Sequence, residues 1–330
     1  MMPQELETAI RKGRPPVLSY IYGEESFLVE RATNRLLEAA LDPSLRDFNF
    51  NMFYGNEAKG VDIVDASQTL PMFADRRVVL VKRADHLESN ALDDLLDYAR
   101  NPCETTCLIF NAVKVDQRRK FFQELKKRGA LLEYRRLYDN KLSGFILSEA
   151  QTYGKSMDPV AADLLSIFVG NNLRELSSQL EKLSIYVGSR SKITMDDVRD
   201  AASDSKVFTV FELARYLGTK DLKSSFKSLD TLFLNGEEIP MMIGALARHF
   251  RQLWRVREML DRNAPLADIG REIGVNTYFL GEYAQQAKKF KRSELRNIFE
   301  ELRQCDLASK SGGKPYILMS NLILGICSHE

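Results

Sequence analysis

The sequence predicts an α/β domain followed by two all-helical domains. Short apolar runs alternate with helical patterns over roughly the first 140 of the 330 residues, as in a parallel sheet covered by helices. Beyond Lys141 the strand signals disappear, and turn residues divide the chain into helices of ordinary length. Because 330 residues exceed one typical domain, we expect three domains, at residues 1–140, 141–207 and 208–330.

Five apolar runs predict the sheet of the first domain. They occupy residues 17–22, 48–53, 78–81, 107–110 and 131–134. Helical patterns separate them, after the first run and near residues 61–68, 88–100 and 117–128. Strands joined through helices lie parallel in one sheet. We therefore expect a mainly parallel five-stranded sheet with helices on both faces, ending near residues 138–141.

Turn signals and one apolar stripe predict the small helical second domain. The turns fall at Gly154, at Asp158 and Pro159, and at residues 170–172 and 188–191. The stripe consists of Leu173, Leu176, Leu180, Leu183 and Val187, at helical spacing. After it, Thr194 is expected to cap a further helix that carries Asp197 in its first turn.

The third domain is predicted to contain five or six packed helices, with turns at residues 235–236, 263–265 and 311–313. One helix places Phe250, Leu253 and Trp254 on a single face, with arginines at 248, 251, 255 and 257 towards the others. Two interpretations are open. The arginines form a solvated face whose stems pack on the helix, or they form a nucleic-acid patch or a subunit contact.

Composition excludes several classes of protein. The chain has 47 basic and 46 acidic side chains, which argues against a polybasic binder, so any contact with nucleic acid is local. The first residues lack the basic and apolar regions of a signal peptide, and no apolar run approaches the ~18 residues that span a bilayer. We expect a cytoplasmic, soluble protein without a membrane partner.

The sequence shows no catalytic or metal-binding cluster. The four cysteines, Cys103, Cys107, Cys305 and Cys327, are too scattered for a zinc framework, and we interpret them as reduced thiols. The three histidines stand far apart, each without a neighbouring carboxylate and hydroxyl. No cofactor and no metal ion is therefore expected.

Residues 23–30 lie where a P-loop would lie, between the first strand and a helix. A phosphate cradle needs several glycine-permitted amides followed by Lys and Ser or Thr, but this turn offers Gly23 and two carboxylates, Glu24 and Glu25. Ser26 is then expected to cap the helix. The loop predicts that nucleotide is rejected.

The third strand ends without the acids that a P-loop ATPase requires. Such enzymes place acidic residues there to hold Mg²⁺ and orient water, whereas Lys82 and Arg83 would repel the metal. Asn111, where related ATPases sense the γ-phosphate, is expected to be a turn residue. The competing enzyme hypothesis is a cytosolic nucleotide hydrolase with an unrecognised phosphate site.

The stretch from Ser67 to Arg83 joins an apolar turn to a buried strand. Pro71 removes a backbone donor and disfavours α geometry at Leu70, so the preceding helix should stop there and leave Met72 and Phe73 on the turn. Apolar side chains beside a strand commonly pack in the protein's own core. The alternative is a tip that docks on another protein.

Several motifs together resemble the delta subunits of bacterial DNA polymerase III, which belong to the clamp loader. They lie at residues 22–28, 70–79, 170–176, 180–183, 246–253, 287–290 and 306–310, and they extend over nearly the whole chain. The resemblance implies a degenerate AAA+/RecA-like domain without ATPase chemistry, a small helical lid domain and a C-terminal helical collar domain. It also implies a non-ATPase subunit, without an active site of its own, within a nucleotidyltransferase holoenzyme.

The same resemblance implies the partners and the contact site. Gln68, Leu70, Met72 and Phe73 would bind the beta sliding clamp, which the subunit opens for loading onto primed DNA. The gamma/tau motor subunits, delta-prime and primer-template DNA would be partners in the assembled complex. The motor subunits carry a complete P-loop, and delta-prime carries a Ser-Arg-Cys motif; neither occurs here. The motor subunits are the nearest competing assignment, and a delta-prime-like structural subunit is the other alternative.

Overall fold

The computed structural model describes residues 2–203, 206–273 and 277–328, and the chain divides into two units, Met1–Arg136 and Leu137–Glu330. The first unit contains a five-stranded sheet in the order β2-β3-β4-β1-β5, with every neighbouring pair parallel. The strands are β1 (Leu18–Tyr22), β2 (Phe50–Tyr54), β3 (Arg77–Lys82), β4 (Thr106–Ala112) and β5 (Leu131–Glu133). The predicted parallel sheet is confirmed.

Helices cover both faces of this sheet. They are α1 (Pro3–Arg11), α2 (Ser26–Ala40), α3 (Arg46–Asn49), α4 (Gly60–Gln68), α5 (Ser89–Arg100) and α6 (Lys120–Lys127), with 3₁₀ turns at Pro43–Leu45 and Ala84–His86. Along β3, Val79 and Val81 pack towards α4, α5 and α6, whereas Val78 and Leu80 pack towards α1 and α2. Because successive side chains enter opposite cores, the strand is an unbroken apolar run.

Three local predictions in the first unit are wrong. The run at 48–53 is not all strand, since Phe48 belongs to α3 and is 56% exposed. Ser26 is the first helical residue of α2 rather than its cap, and Glu25 in the cap position makes no side-chain capping bond. Asn111 lies inside β4 rather than in a turn, and its Nδ2 donates to Thr33 Oγ1 of α2 at 3.2 Å.

The second unit begins with four helices and one short ladder. The helices are α7 (Asp139–Thr152), α8 (Pro159–Val169), α9 (Leu173–Tyr186) and α10 (Met195–Ser203). The expectation that strands disappear after Lys141 is wrong in one place, because β6 (Ser156–Met157) pairs in parallel with β7 (Lys192–Ile193). Two residues per strand are too few to give a periodic signal.

Two predictions within these helices are confirmed. The stripe of Leu173, Leu176, Leu180, Leu183 and Val187 is buried. Thr194 caps α10: its Oγ1 accepts from the Asp197 amide at 3.3 Å, and the Asp197 carboxylate accepts from the Thr194 amide at 2.8 Å. This reciprocal arrangement satisfies two amides at the start of the helix.

Seven helices follow in the part of the chain that the structure describes, where five or six were predicted. They are α11 (Lys206–Thr219), α12 (Leu222–Leu234), α13 (Ile239–Asp261), α14 (Leu266–Ile273), α15 (Thr277–Lys288), α16 (Arg292–Lys310) and α17 (Pro315–Ser328). The predicted turns at 235–236, 263–265 and 311–313 all separate helices.

The predicted domain limits stay predictions. Along the chain, the boundary between the two units falls between residues 136 and 137, near the expected limit at 140. The expected limit between 207 and 208 falls near the start of α11, beside residues 204 and 205, which lie outside the described residues. Among the described helices, none is long and apolar enough to cross a membrane.

Candidate functional site

Residues 69–76, here called the apolar tip, connect the end of α4 to the start of β3. Three apolar side chains on it face solvent: Leu70 is 71% exposed, Met72 51% and Phe73 86%. Gln68, the last residue of α4, is also exposed. The interpretation that Met72 and Phe73 pack in the protein's own core is therefore wrong. An exposed apolar cluster of this kind is typical of a protein-binding surface.

The end of α4 is fixed to the sheet beneath the tip. Thr69 ends the helix, with its amide and its hydroxyl both donating to Asp65 O, at 3.1 and 2.8 Å. Ser67 is buried, and its carbonyl accepts from Thr106 Oγ1 of β4 at 2.7 Å. The tip therefore starts from a rigid point, after which Pro71 prevents the helix from continuing.

Asn49 holds the backbone of the tip from inside. This side chain is 0% exposed. Its Oδ1 accepts from the Met72 amide at 2.7 Å, and its Nδ2 donates to the Met72 carbonyl at 2.8 Å. The same Nδ2 donates to Leu45 O at 3.1 Å. One side chain thus satisfies both backbone groups of Met72, as a neighbouring strand would.

Arg77 holds the tip at a second point. It is the first residue of β3 and is 8% exposed. Its Nη1 donates to Leu70 O at 3.3 Å, and its Nη2 donates to Asn51 Oδ1 at 3.0 Å. The guanidinium therefore links the tip backbone to β2.

Phe73 carries backbone strain. Its φ of 57° lies in the left-handed region, which costs a residue with a side chain roughly 1–2 kcal/mol. The following Ala74 packs partly against the core shared with α2. With this backbone conformation the Phe73 ring lies in solvent. The strain is maintained because the residues on both sides are fixed.

The loop at residues 23–25, in the position of a P-loop, is closed by bonds to the rest of the domain. The Gly23 amide donates to Ala112 O at 3.4 Å, and the Glu25 amide donates to Tyr134 O at 3.2 Å. Gly23 has a φ of 148°, and a Cβ there would lie 1.9 Å from Tyr134 O. The ends of β4 and β5 thus take up amides of the kind that would bind phosphate in a P-loop.

The remaining elements of an ATPase site are not brought together. Lys82 and Arg83 are exposed at the carboxyl end of β3. Asp85, which follows them, accepts from the Val113 amide at 3.3 Å. Within the described residues, no group of three or more His, Cys, Asp or Glu side chains could hold a metal ion. Burial raises the pKa of the Cys107 thiol to about 12, so this cysteine is no nucleophile.

A second polar cluster, here called the joint, lies in the second unit and consists of the buried Gly170, His249 and Gln286 and the half-buried Arg248. Arg248 Nη2 donates to Ile167 O, at the end of α8, at 2.8 Å. A Cβ on Gly170 would lie 1.6 Å from Arg248 Nη1. Burial lowers the pKa of Arg248. Arg248 therefore departs from the predicted solvated arginine face, since it is half-buried and bonded to Ile167 O, whereas Arg251 and Arg255 are exposed as that interpretation expects.

His249 completes the joint. Its Nε2 lies 2.8 Å from Gln286 Oε1, and Gln286 Nε2 donates to Glu282. With Nε2 of Gln286 donating to Glu282, the atom that faces His249 is the amide oxygen, which can only accept. His249 Nε2 therefore carries the proton and donates to it. Burial lowers the pKa of His249 to about 4, with a smaller contribution from the Arg248 charge, although the bond to Gln286 opposes the shift. The imidazole is therefore neutral at pH 7.

Sequence reasoning found the tip but missed the side chains that hold it. Asn49 stands as a polar residue within an apolar run, and Arg77 stands as a charge at the start of a buried strand. A polar residue that interrupts a core pattern is the signal that could have identified both, since a buried polar group needs a partner.

Comparisons with known proteins agree with this geometry. A family model described as "DNA polymerase III, delta subunit" matches residues 20–135, and a model described as "DNA polymerase III delta subunit, C-terminal domain" matches residues 208–326. A Bacillus subtilis (strain 168) protein, "DNA polymerase III subunit delta", is 25% identical over 327 residues, covering 96% of this chain and 94% of that protein.

A solved structure has the same fold. The Bacillus subtilis "DNA clamp loader delta protein" aligns with a TM-score of 0.68 at 24% identity, over 99% of each chain. The predicted combination of a parallel-sheet domain with helical domains is thus confirmed over the whole length. With both parts of the chain matched by models of one family, the chain belongs to the DNA polymerase III delta subunit family.

Proposed function

We propose that this chain is the non-ATPase subunit of the DNA polymerase III clamp loader that binds the sliding clamp through the apolar tip and opens it. The single observation that carries the proposal is the exposure of Leu70, Met72 and Phe73 on a backbone fixed from inside. Family membership supports the clamp-loader role. Gln68, exposed beside them, adds a polar contact at the edge of the tip.

The apolar tip is large enough to dominate a small interface. Burying Met72 and Phe73 contributes ~1.5–3 kcal/mol each, before the cost of association. A few well-packed anchors commonly supply most of the affinity of a protein interface. A wedge of this kind entering an apolar pocket of the clamp would bind tightly without a large contact area.

The collar assignment is part of the same proposal. Residues 208–330 would assemble with the gamma/tau motor subunits and delta-prime, while residues 1–140 bind the clamp and 141–207 form the lid. The exposed apolar side chains Leu307, Ile317 and Leu324 on α16 and α17 support a subunit contact there. Primer-template DNA would be a partner of the assembled complex in the cytoplasm.

The proposal includes the absence of ATPase chemistry. The amides of Gly23 and Glu25 are already bonded to the ends of β4 and β5, and Lys82 and Arg83 stand where metal-binding acids would be needed. Calorimetric titration with Mg-ATP should therefore give no binding heat. Micromolar binding would instead support the nucleotide-hydrolase alternative.

The test is the double variant Met72→Ala/Phe73→Ala. It should weaken binding of the cognate sliding clamp by at least about a hundredfold, which corresponds to ~2.7 kcal/mol. The melting temperature should hardly change, because both side chains are exposed. Affinity is measured by surface plasmon resonance and stability by thermal unfolding.

A matched control is Ile185→Ala/Tyr186→Ala, which removes two neighbouring exposed apolar side chains from α9. It should leave clamp affinity unchanged. Normal clamp binding by a folded Met72→Ala/Phe73→Ala protein would remove the tip from the proposed function.

A further inference from the structure

We propose that Asn49 and Arg77 are positioning residues, which hold the apolar tip in its clamp-binding conformation before the clamp is met. This inference rests on the proposed function of the tip. It concerns two side chains that do not themselves face the partner: Asn49 is 0% exposed and Arg77 is 8% exposed.

The backbone of Met72 is the first fixed point of the tip. The amide and the carbonyl of this residue both bond to the same Asn49 side chain, at 2.7 and 2.8 Å. With both backbone groups turned inwards, the peptide units on either side of Met72 cannot rotate without breaking a buried bond. Because Asn49 is buried, releasing these bonds would leave its amide oxygen without a partner, which is costly.

The backbone carbonyl of Leu70 is the second fixed point of the tip. Its carbonyl accepts from Arg77 Nη1 at 3.3 Å. Pro71, between the two fixed residues, has a restricted φ and no amide to satisfy. Three successive residues are thus held, and the left-handed Phe73 follows directly.

Without these bonds the tip would not be held in one exposed conformation. Apolar side chains on a free turn reduce their exposure by folding back on the domain, and a partner then binds only the fraction of molecules in the competent conformation. The apparent dissociation constant rises in inverse proportion to that fraction. A tip that is ordered in advance avoids this loss and the entropy of ordering.

The test uses the full chain and the cognate sliding clamp. Asn49→Ala should weaken clamp affinity about tenfold, equivalent to 1.4 kcal/mol. The matched control is Asn56→Ala, since the Asn56 side chain is exposed and donates to the adjacent Glu57 rather than to the tip. This control should bind the clamp as the wild type does.

A double-mutant cycle separates positioning from a general loss of stability. If Asn49 acts through the tip, Asn49→Ala has a much smaller effect on clamp affinity in the Met72→Ala/Phe73→Ala background, where only Gln68 and Leu70 are left to contact the clamp. Its effect on the melting temperature should be the same in both backgrounds. An equal loss of affinity in both backgrounds would overturn the inference.

Hydrogen exchange gives a readout that needs no clamp. The Met72 amide should be protected in the wild type and exchange rapidly in Asn49→Ala. Should Asn49→Ala fail to fold, the pair Arg77→Lys and Arg77→Met takes its place: lysine can still donate to Leu70 O and should retain affinity, whereas methionine should lose it.

The possible failures are distinguishable. If Met72→Ala/Phe73→Ala binds the clamp normally, the proposed function is wrong. If that variant loses binding but folded Asn49→Ala binds like the wild type, the tip is still the contact and only the positioning role is wrong.

Discussion

The apolar tip and the joint both depend on buried polar side chains, but their surroundings differ. At the tip, Asn49 and Arg77 bond to the backbone of a segment whose apolar side chains remain in solvent. At the joint, Arg248 and His249 bond to Ile167 and Gln286, which are themselves buried.

This difference is the one expected between a surface that a partner would cover and a cluster whose bonds lie within one unit. Buried polar groups are costly unless they are bonded. At the joint the bonds connect α8, α13 and α15 within one unit. At the tip they maintain an exposed apolar surface that gains nothing from folding, which is expected only where a partner covers it.

The largest expected effect is at the joint, from Gly170→Ala. Gly170 has a φ of 81° and its Cβ would overlap the Arg248 guanidinium. The change strains the backbone, by roughly 1–3 kcal/mol, and displaces a charged donor from Ile167 O, which costs ~1.5–3 kcal/mol. We expect a loss of about 3 kcal/mol or more in urea unfolding.

Gly154→Ala is the control for this variant. Gly154 has a φ of 70° but open space where a Cβ would lie, so only backbone strain of about 1–2 kcal/mol is expected. If the two variants lose the same stability, the close approach of Gly170 and Arg248 contributes nothing to stability, and the bond from Arg248 to Ile167 O does not stabilise this part of the fold.

The next effect in size is the acid sensitivity of the joint. His249 has a pKa of about 4 in the folded protein and about 6.5 when unfolded. Because the pKa is lowered by folding, only the unfolded chain binds the proton between these values. Stability therefore falls as pH decreases from about 6.5 to 4 and is unaffected by this group above 6.5.

The expected loss through His249 is about 2 kcal/mol between pH 7 and pH 5. Urea unfolding at the two pH values measures it. In His249→Gln the difference attributable to this residue should disappear, while the contributions of Arg248 and the neutral Tyr283 nearby are unchanged. Equal acid sensitivity in both proteins would contradict a buried, neutral His249.

The smallest effect is expected at the tip, from Phe73→Gly. Glycine removes the strain of a positive φ, worth roughly 1–2 kcal/mol, but increases the entropy of the unfolded chain by a similar amount. Stability should stay within about 0.5–1 kcal/mol of the wild type. A loss above ~2 kcal/mol would show that the ring packs like a core residue, and the contrast between tip and joint would fail.

The sheet and most helices could be predicted because their signals are periodic. Val78 to Val81 form an unbroken apolar run since both faces of β3 are buried, and Thr194 with Asp197 forms a local capping pattern. The ladder of β6 and β7 could not be predicted, because two residues carry no period. The seventh C-terminal helix was missed since Lys220 and Asp221 reverse the chain with no glycine or proline.

At the candidate site, sequence identified the exposed residues but not their support. Pro71 marks the end of α4, so the turn with Met72 and Phe73 follows from local chemistry. Asn49 is 23 residues from Met72, and its role depends on the parallel packing of β2 against β3, which no local pattern specifies. The displacement of Arg248 into the interior likewise depends on a glycine 78 positions earlier, Gly170.

The closure of the loop at Gly23 determines what would be needed to build a phosphate site at this position. Placing a lysine and a serine at the start of α2 would create the sequence of a phosphate-binding motif. The Tyr134 carbonyl would still lie against Gly23 and accept from the Glu25 amide. A phosphate site here would require β5 to move together with the loop, so changes to the motif residues alone would not create one. Engineering a motor from this scaffold would have to begin at the edge strand rather than at the motif.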